Sequence, residues 1–166
     1  MRSLLSALLS LLVSCFAISE SAALDEAYKR CLERQLRFII AKNPPYSAGG
    51  ASDLEKGLDC SGYVFLACKW AGIPGVKRTT SFRMAMGLDG WTGKDIPRES
   101  CSSCDLAFWT WHKSLDRPYG HVGVFLKAGP TLEVAHASSK RGVVLAPLRG
   151  SLQTDLSKVR CLTIGE

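Results

Sequence analysis

The hydrophobic pattern of this chain changes period near Gly87, and that change restricts the fold more than any other feature. Before it, apolar residues recur at helical spacing. Residues 24 to 42 place Leu32, Leu36, Ile39 and Ile40 on one face and Lys29, Arg30, Glu33, Arg34 and Arg37 on the others, until Asn43-Pro44-Pro45 ends the run. Val64, Ala67, Cys68 and Ala71 repeat at i, i+3, i+4, i+7, so a second helix is read from Cys60 to about Ala71, closed by Gly72 and Pro74. A short third helix is read from Thr80 to Met86, with Ser81 as its cap. Gly90 to Cys104 reads as loop. Short strands follow at Asp105 to His112, His121 to Lys127, Leu132 to Ala137, Val143 to Pro147 and Val159 to Ile164, with turns at Ser114 to Gly120, Gly129-Pro130 and Ser138 to Gly142. Helices first and then a meander of about five strands predict an α+β fold with an antiparallel sheet.

Arg2, the apolar stretch from Leu4 to Ile18 and the small residues of Ser19-Glu20-Ser21-Ala22-Ala23 make residues 1 to 23 a secretory signal, leaving a single domain from 24 to 166. Leu12-Val13-Ser14-Cys15 offers an alternative end, since it matches a bacterial lipobox in which Cys15 would be acylated and anchor the protein to a membrane. Either way the protein is expected outside the cytoplasm: in the periplasm, at the cell surface or secreted. Removing residues 1 to 23 deletes Arg2 and Glu20, so the net charge of +6 is unchanged. A basic exported protein suits a polyanionic wall or membrane. The basic pairs Lys29-Arg30, Lys77-Arg78 and Lys140-Arg141 are scattered and not interleaved with aromatics, which argues against nucleic acid as the partner.

The chemistry of the chain centres on Gly57-Leu58-Asp59-Cys60-Ser61-Gly62-Tyr63-Val64. Asp59 stands where a helix cap would, and Cys60 falls in the first turn, where the positive end of the helix dipole favours a thiolate. A reactive thiol also needs a base. Two of the three histidines lie in strand-like runs, Gly120-His121-Val122-Gly123 and Val134-Ala135-His136-Ala137. If those strands pair through Gly129-Pro130, both imidazoles share a face, expected to be the face on which the Cys60 helix packs. Cys60 would then be the nucleophile, His121 the base and His136 the residue that orients it. The bland alternatives are a buried structural cysteine and two strand histidines bonded to backbone. A zinc site of Cys60, His121 and His136 is the competing chemistry, but no fourth ligand is evident, and the reading calls for no metal or other cofactor.

Six cysteines remain after Cys15: 31, 60, 68, 101, 104 and 161. With Cys60 free the remainder is odd, so one more thiol must be free, and Cys68 on the buried helical face is the candidate. Cys101-Ser-Ser-Cys104 is read as a local disulfide, and Cys31 with Cys161 could tie the chain ends.

From about Ala27 to Arg160 the chain resembles the NlpC family of papain-like cell-wall cysteine peptidases. The resemblance rests on landmarks in order: Pro45-Tyr46 with Gly49-Gly50, Leu58 to Val64, Ala71-Gly72-Ile73 with Arg78-Thr79-Thr80, Asp105 to Trp109, Gly120 to Val124, and His136-Ala137-Ser138 with Gly142-Val143. It departs at Cys101 to Cys104, where relatives usually carry proline or glycine before the Asp-Leu pair. The resemblance implies a papain-like fold with Cys60 as nucleophile at a helix N-terminus, His121 as base and His136 as third residue. It implies that Tyr46, Asp59 and Ser61 line the substrate side, and that the substrate is a peptidoglycan stem peptide cut between γ-D-glutamate and a diamino acid. The alternatives are an amidase or transferase acting on a non-murein amide, and an idle binding domain. Oligomeric state is not legible.

Overall fold

The computed structural model of the chain describes residues 26–111 and 118–163. The expected signal, Cys15, most of the turn before Gly120 and the end of the last strand lie outside the described residues.

Residues 26–42 form helix α1, whose Leu32, Leu36 and Ile39 are buried while Ile40 is half-buried. Asn43, at φ 43°, ends it by donating its backbone N–H to the carbonyls of Ile39 and Ile40 at 3.1 and 3.0 Å. Helix α2 spans Cys60–Trp70, and Asp59 caps it by accepting from the Gly62 amide. Gly72 closes α2 at φ 76°, with the Ile73 amide returning to the Cys68 carbonyl at 3.1 Å. Helix α3, Ser81–Ala85, is capped by Thr80, one residue earlier than expected. Among the described residues no helix is long and apolar enough to cross a membrane.

The sheet has six strands: β1 Gly93–Ile96, β2 Leu106–Trp109, β3 His121–Ala128, β4 Thr131–Ser138, β5 Gly142–Pro147 and β6 Leu156–Leu162, the last preceded by a short helix α4 at Ser151–Thr154. Their spatial order is β1-β6-β2-β3-β4-β5, and every pairing is antiparallel. The α+β architecture is therefore as expected, with one strand more than the pattern suggested. Strand β1 lies in the stretch read as loop. Gly-Lys-Asp-Ile has no apolar alternation, and it is held as a strand by β6, whose Arg160 and Lys158 pair with Asp95 at 2.9 Å each.

Alternation along β2, β3 and β4 divides the core in two. Leu106, Phe108, Val122, Val124, Leu126, Ala135 and Ala137 pack with α1 and α2 on one face. Ala107, Trp109, Phe125, Val134 and Val159 form a smaller cluster on the other. The first face seats α2, whose Tyr63, Val64, Ala67 and Cys68 are fully enclosed.

The loop from Tyr46 to Gly57 lies tightly against the start of α2. Gly50 accepts from the Asp59 amide at 3.0 Å, and a Cβ on Gly62 would stand 1.8 Å from the Gly50 oxygen. Position 62 therefore admits no side chain unless backbone moves. Gly62→Ala is expected to lower unfolding free energy by about 3 kcal/mol, read as a lower denaturant midpoint at unchanged slope; an unchanged midpoint would refute the close approach.

Candidate functional site

Cys60, His121, His136 and Tyr46 line one cavity of about 470 Å³, which also takes in Trp111 and the segments 137–141 and 149–152. Cys60 enters it as the first residue of α2. Beside it, one carboxylate organises the turn. Asp59 Oδ1 accepts from the Gly62 amide at 2.6 Å and the Ser61 hydroxyl at 2.9 Å, while Oδ2 accepts from the Gly49 amide at 3.0 Å and from Arg78 at 2.6 Å. Arg78 also donates to Ser61 Oγ at 2.8 Å and to the Thr79 carbonyl. Asp59 is thus both a cap and the centre of a charge-assisted network, its acceptor positions filled from within the chain.

The histidines come from the sheet. His121 opens β3 and faces Trp109 across the β2 pairing, and His136 lies on β4 opposite Val144 of β5. Nε2 of His121 is 3.0 Å from Nδ1 of His136, with the rings nearly perpendicular. They share a face, as alternation required, but it is not the face on which α2 packs. His121 lies with Gly123 and Phe125 on the side of the smaller cluster, whereas Val122 and Val124 face α2. Cys60 therefore shares only the cavity with them, and the backbone of Val122 adjoins its sulfur. Gly123 keeps room for His136: a Cβ there would stand 3.2 Å from the His136 Cβ and 2.8 Å from a Val134 methyl.

Two indoles enclose the first imidazole. Trp109 and Trp111 are stacked at 6.4 Å, and each ring centre is 5.5 Å from that of His121. Trp109 also donates its Nε1–H to the Leu152 carbonyl at 2.7 Å, which fixes α4 as a wall of the cavity.

Burial sets the protonation states. Desolvation lowers the pKa of His121, with a further contribution from His136; desolvation likewise lowers that of His136, helped by the charge of Arg141. Both rings are neutral near pH 7. Desolvation raises the Cys60 thiol, and the Asp59 charge adds to it, against hydrogen bonds from the backbone of Val122 and Ser61 and the charge of Arg78. The expectation that Cys60 ionises more readily than an ordinary cysteine is therefore corrected: removal from water outweighs the favourable helix end. Tyr46 is raised by burial and by the adjoining Cys60 and Asp59, so its phenol keeps its proton.

The cysteine readings also change. Cys31, Cys60, Cys68, Cys101 and Cys104 are all free thiols. Cys101 packs against the smaller cluster while Cys104 belongs to the larger one, its Sγ donating to the Lys29 carbonyl at 3.4 Å, so the two side chains part to opposite sides of the sheet. Cys68 is enclosed and held far above the usual thiol range. Two imidazoles bonded to one another do not converge on a shared cation, and among the described residues no three metal-binding side chains cluster.

Comparison of the coordinates with solved structures finds the same arrangement of elements. A lipoprotein-like NLP/P60 family protein from Staphylococcus aureus subsp. aureus Mu50 superposes with a TM-score of 0.62 at 22% identity, over 84% of this chain and 42% of that one. An NlpC/P60 family protein from Bacillus cereus ATCC 10987 gives 0.63 at 23%, over 81% and 40%. The fold is that of the NlpC/P60 proteins. The P60 domain of an antigen from M. avium paratuberculosis gives 0.54 at 18%, over 85% of this chain and 97% of that domain. The chain thus spans about two fifths of the first two proteins and nearly all of the isolated P60 domain. No protein-family model matches the sequence, and no curated protein sequence matches it.

Arg78, Trp111 and Arg141 were not singled out from the sequence as site residues. Nothing in the order of residues couples position 78 to 59; only the folded turn does.

Because both histidines are neutral when folded and titrate near 6.5 when unfolded, the unfolded chain binds more protons below that pH. Their contribution is present above about pH 6.5 and is lost as pH falls towards the folded values. By pH 5 each buried histidine is expected to have removed about 2 kcal/mol relative to high pH. Denaturant titrations at pH 7.5 and 5 check this, and a double His121→Gln, His136→Gln protein should show a flatter dependence.

Proposed function

We propose that the chain is an exported cysteine peptidase that cleaves an amide bond in peptidoglycan stem peptides, between γ-D-glutamate and a diamino acid, with residues 24–166 as its catalytic domain. The observation that carries this reading is the thiol and the hydrogen-bonded imidazole pair in one cleft of a size that takes a short peptide. The NlpC/P60 fold and the order of the sequence landmarks support it. Export rests on residues 1 to 23 as a signal, and a lipid on Cys15 is consistent with the lipoprotein-like S. aureus neighbour.

The hydrogen-bonded imidazole pair supports one proton path. Nε2 of His121 is engaged with His136, so Nδ1 is the nitrogen left to serve the thiol. For Nδ1 to accept, His121 must carry its hydrogen on Nε2 and donate it to Nδ1 of His136, which puts the His136 hydrogen on its own Nε2. His136 thereby selects the productive tautomer of the base and steadies the imidazolium that forms.

Thiol and imidazole are both neutral at rest, so the proton moves as the sulfur attacks. Nδ1 of His121 takes the Cys60 proton while a carbon–sulfur bond forms at the scissile carbonyl. The oxygen that gains charge is met by the Cys60 amide at the helix start and by the phenol of Tyr46. Collapse breaks the carbon–nitrogen bond, and the amine leaves with the proton from His121. Water then gives a proton to Nδ1 and attacks the thioester, releasing the acid and restoring the thiol. Asp59 and Ser61, occupied by Arg78 and the first turn, hold the nucleophile in place.

Incubating the purified protein with muropeptides, followed by mass spectrometry of the products, tests this directly. Cys60→Ala should lose at least about 10⁴-fold in turnover, and His121→Ala about 10² to 10⁴-fold, each with the circular dichroism of the folded protein at pH 7.5. Full activity in Cys60→Ala would remove the mechanism; fragments from another bond would redirect the substrate to a different amide.

A further inference from the structure

The cleft contains cations that the proposed mechanism does not use. Arg78, bound to Asp59, is not among them. Arg141, in the turn after β4, and Arg149, after β5, line the same cavity, and among the described residues neither has a hydrogen bond or ion pair from its side chain. Among the described residues that line it there is no aspartate or glutamate. Its other polar groups near the arginines are the hydroxyls of Ser138, Ser139 and Ser151. Two guanidinium groups and three hydroxyls without a carboxylate make a wall that offers donors and positive charge.

We propose that Arg141 and Arg149 form an anion site on the imidazole side of the cleft, holding a carboxylate carried by the departing amine half of the substrate. This rests on the peptidase reading given above. The side follows from the placement of charge. The cation that bears on Cys60 is Arg78, whereas Arg141 bears on His136, beyond His121 as counted from the thiol. The amine leaves with a proton from His121, so its substituents lie on that side, and a diamino acid carries a carboxylate close to the nitrogen that is released. An arginine pairs with such a carboxylate through two parallel N–H bonds.

One further observation favours an anion there. His136 is 7% exposed, and its Nε2 is buried with no hydrogen-bond partner in the described structure. The charge of Arg141 beside it opposes the imidazolium that the His121–His136 pair must share during turnover. A carboxylate seated on Arg141 offsets that charge. Substrates with the acid in place would thus assist the base, and their amides would not.

The test uses the full chain with Cys60→Ala, so that nothing turns over. meso-Diaminopimelate and its bis-carboxamide are titrated while the guanidinium Nε–H signals of Arg141 and Arg149 are followed by NMR. The acid should shift both signals along a saturable curve, and the amide should bind at least about tenfold more weakly. Combined Arg141→Gln, Arg149→Gln substitution should abolish that preference. With Cys60 restored, the double variant should raise KM for an acid-bearing muropeptide about tenfold, and the ratio of kcat/KM for the acid-bearing over the amidated muropeptide should fall to about one. Equal response to acid and amide, or none to either, overturns the site. Muropeptide cleavage is scored separately: cleavage without arginine-dependent binding sinks the anion site alone, whereas arginine-dependent binding without cleavage upholds the site and removes the proposed reaction.

Discussion

The Asp59 carboxylate is the tie on which the rest of the site depends. Its two oxygens hold a loop amide, two groups of the first helical turn and a guanidinium from the segment after α2. Three pieces of chain distant in sequence thereby meet at the residue beside the thiol. Each bond is modest, but the acid is largely enclosed, with 15% of its side chain exposed, and a charge withdrawn from water is costly to leave unpaired. Arg78 therefore balances Asp59 electrically and, by facing Cys60, opposes the penalty that the same carboxylate imposes on the thiolate. The loop seated by Gly50 against Gly62 carries Tyr46 into the cleft, so the phenol's position follows from the same tie.

A second constraint is dryness. Trp109, Trp111 and the sheet around them keep the imidazoles neutral, and burial keeps the thiol protonated. Thiol and imidazole thus form no ion pair with one another at rest. In the proposed reaction, charge separates only as a carbonyl receives the sulfur. A neutral pair in a dry cleft also limits side reactions of a free thiolate, a sensible arrangement in a chain whose described cysteines include several free thiols.

Much of this was legible in the residues. Apolar spacing located α1 and α2, the Gly-Pro turn joined β3 to β4, and alternation put His121 and His136 on one face. Strand β1 was not legible, because Gly-Lys-Asp-Ile has no pattern of its own and owes its form to β6. The face was misassigned for a related reason: period-two alternation says which residues go together but not which side a helix covers, and Val122 and Val124 could claim α2 as readily as His121 could. The thiol's ionisation was misjudged because a helix end is visible in sequence and depth of burial is not. The Cys101-Ser-Ser-Cys104 spacing suggested a disulfide, yet the chain passes there from one cluster to the other and separates the two sulfurs.

That division of the core reaches beyond folding. Helix α2 is anchored in one cluster, while Trp109, Trp111 and the segment after β5 that bears Arg149 border the other; the turn that bears Arg141 is flanked by Ala137 and Val143 of the first. Changes in the segment after β5, where Leu148 and Leu152 pack, therefore fall on the cluster that does not hold α2. Two faces of one sheet thus border a single cavity, α2 bringing Cys60 from one and β3 and β4 bringing the imidazoles from the other. In the proposed reaction, the turn after β5 is the part of the cavity wall that can vary without disturbing the seat of α2.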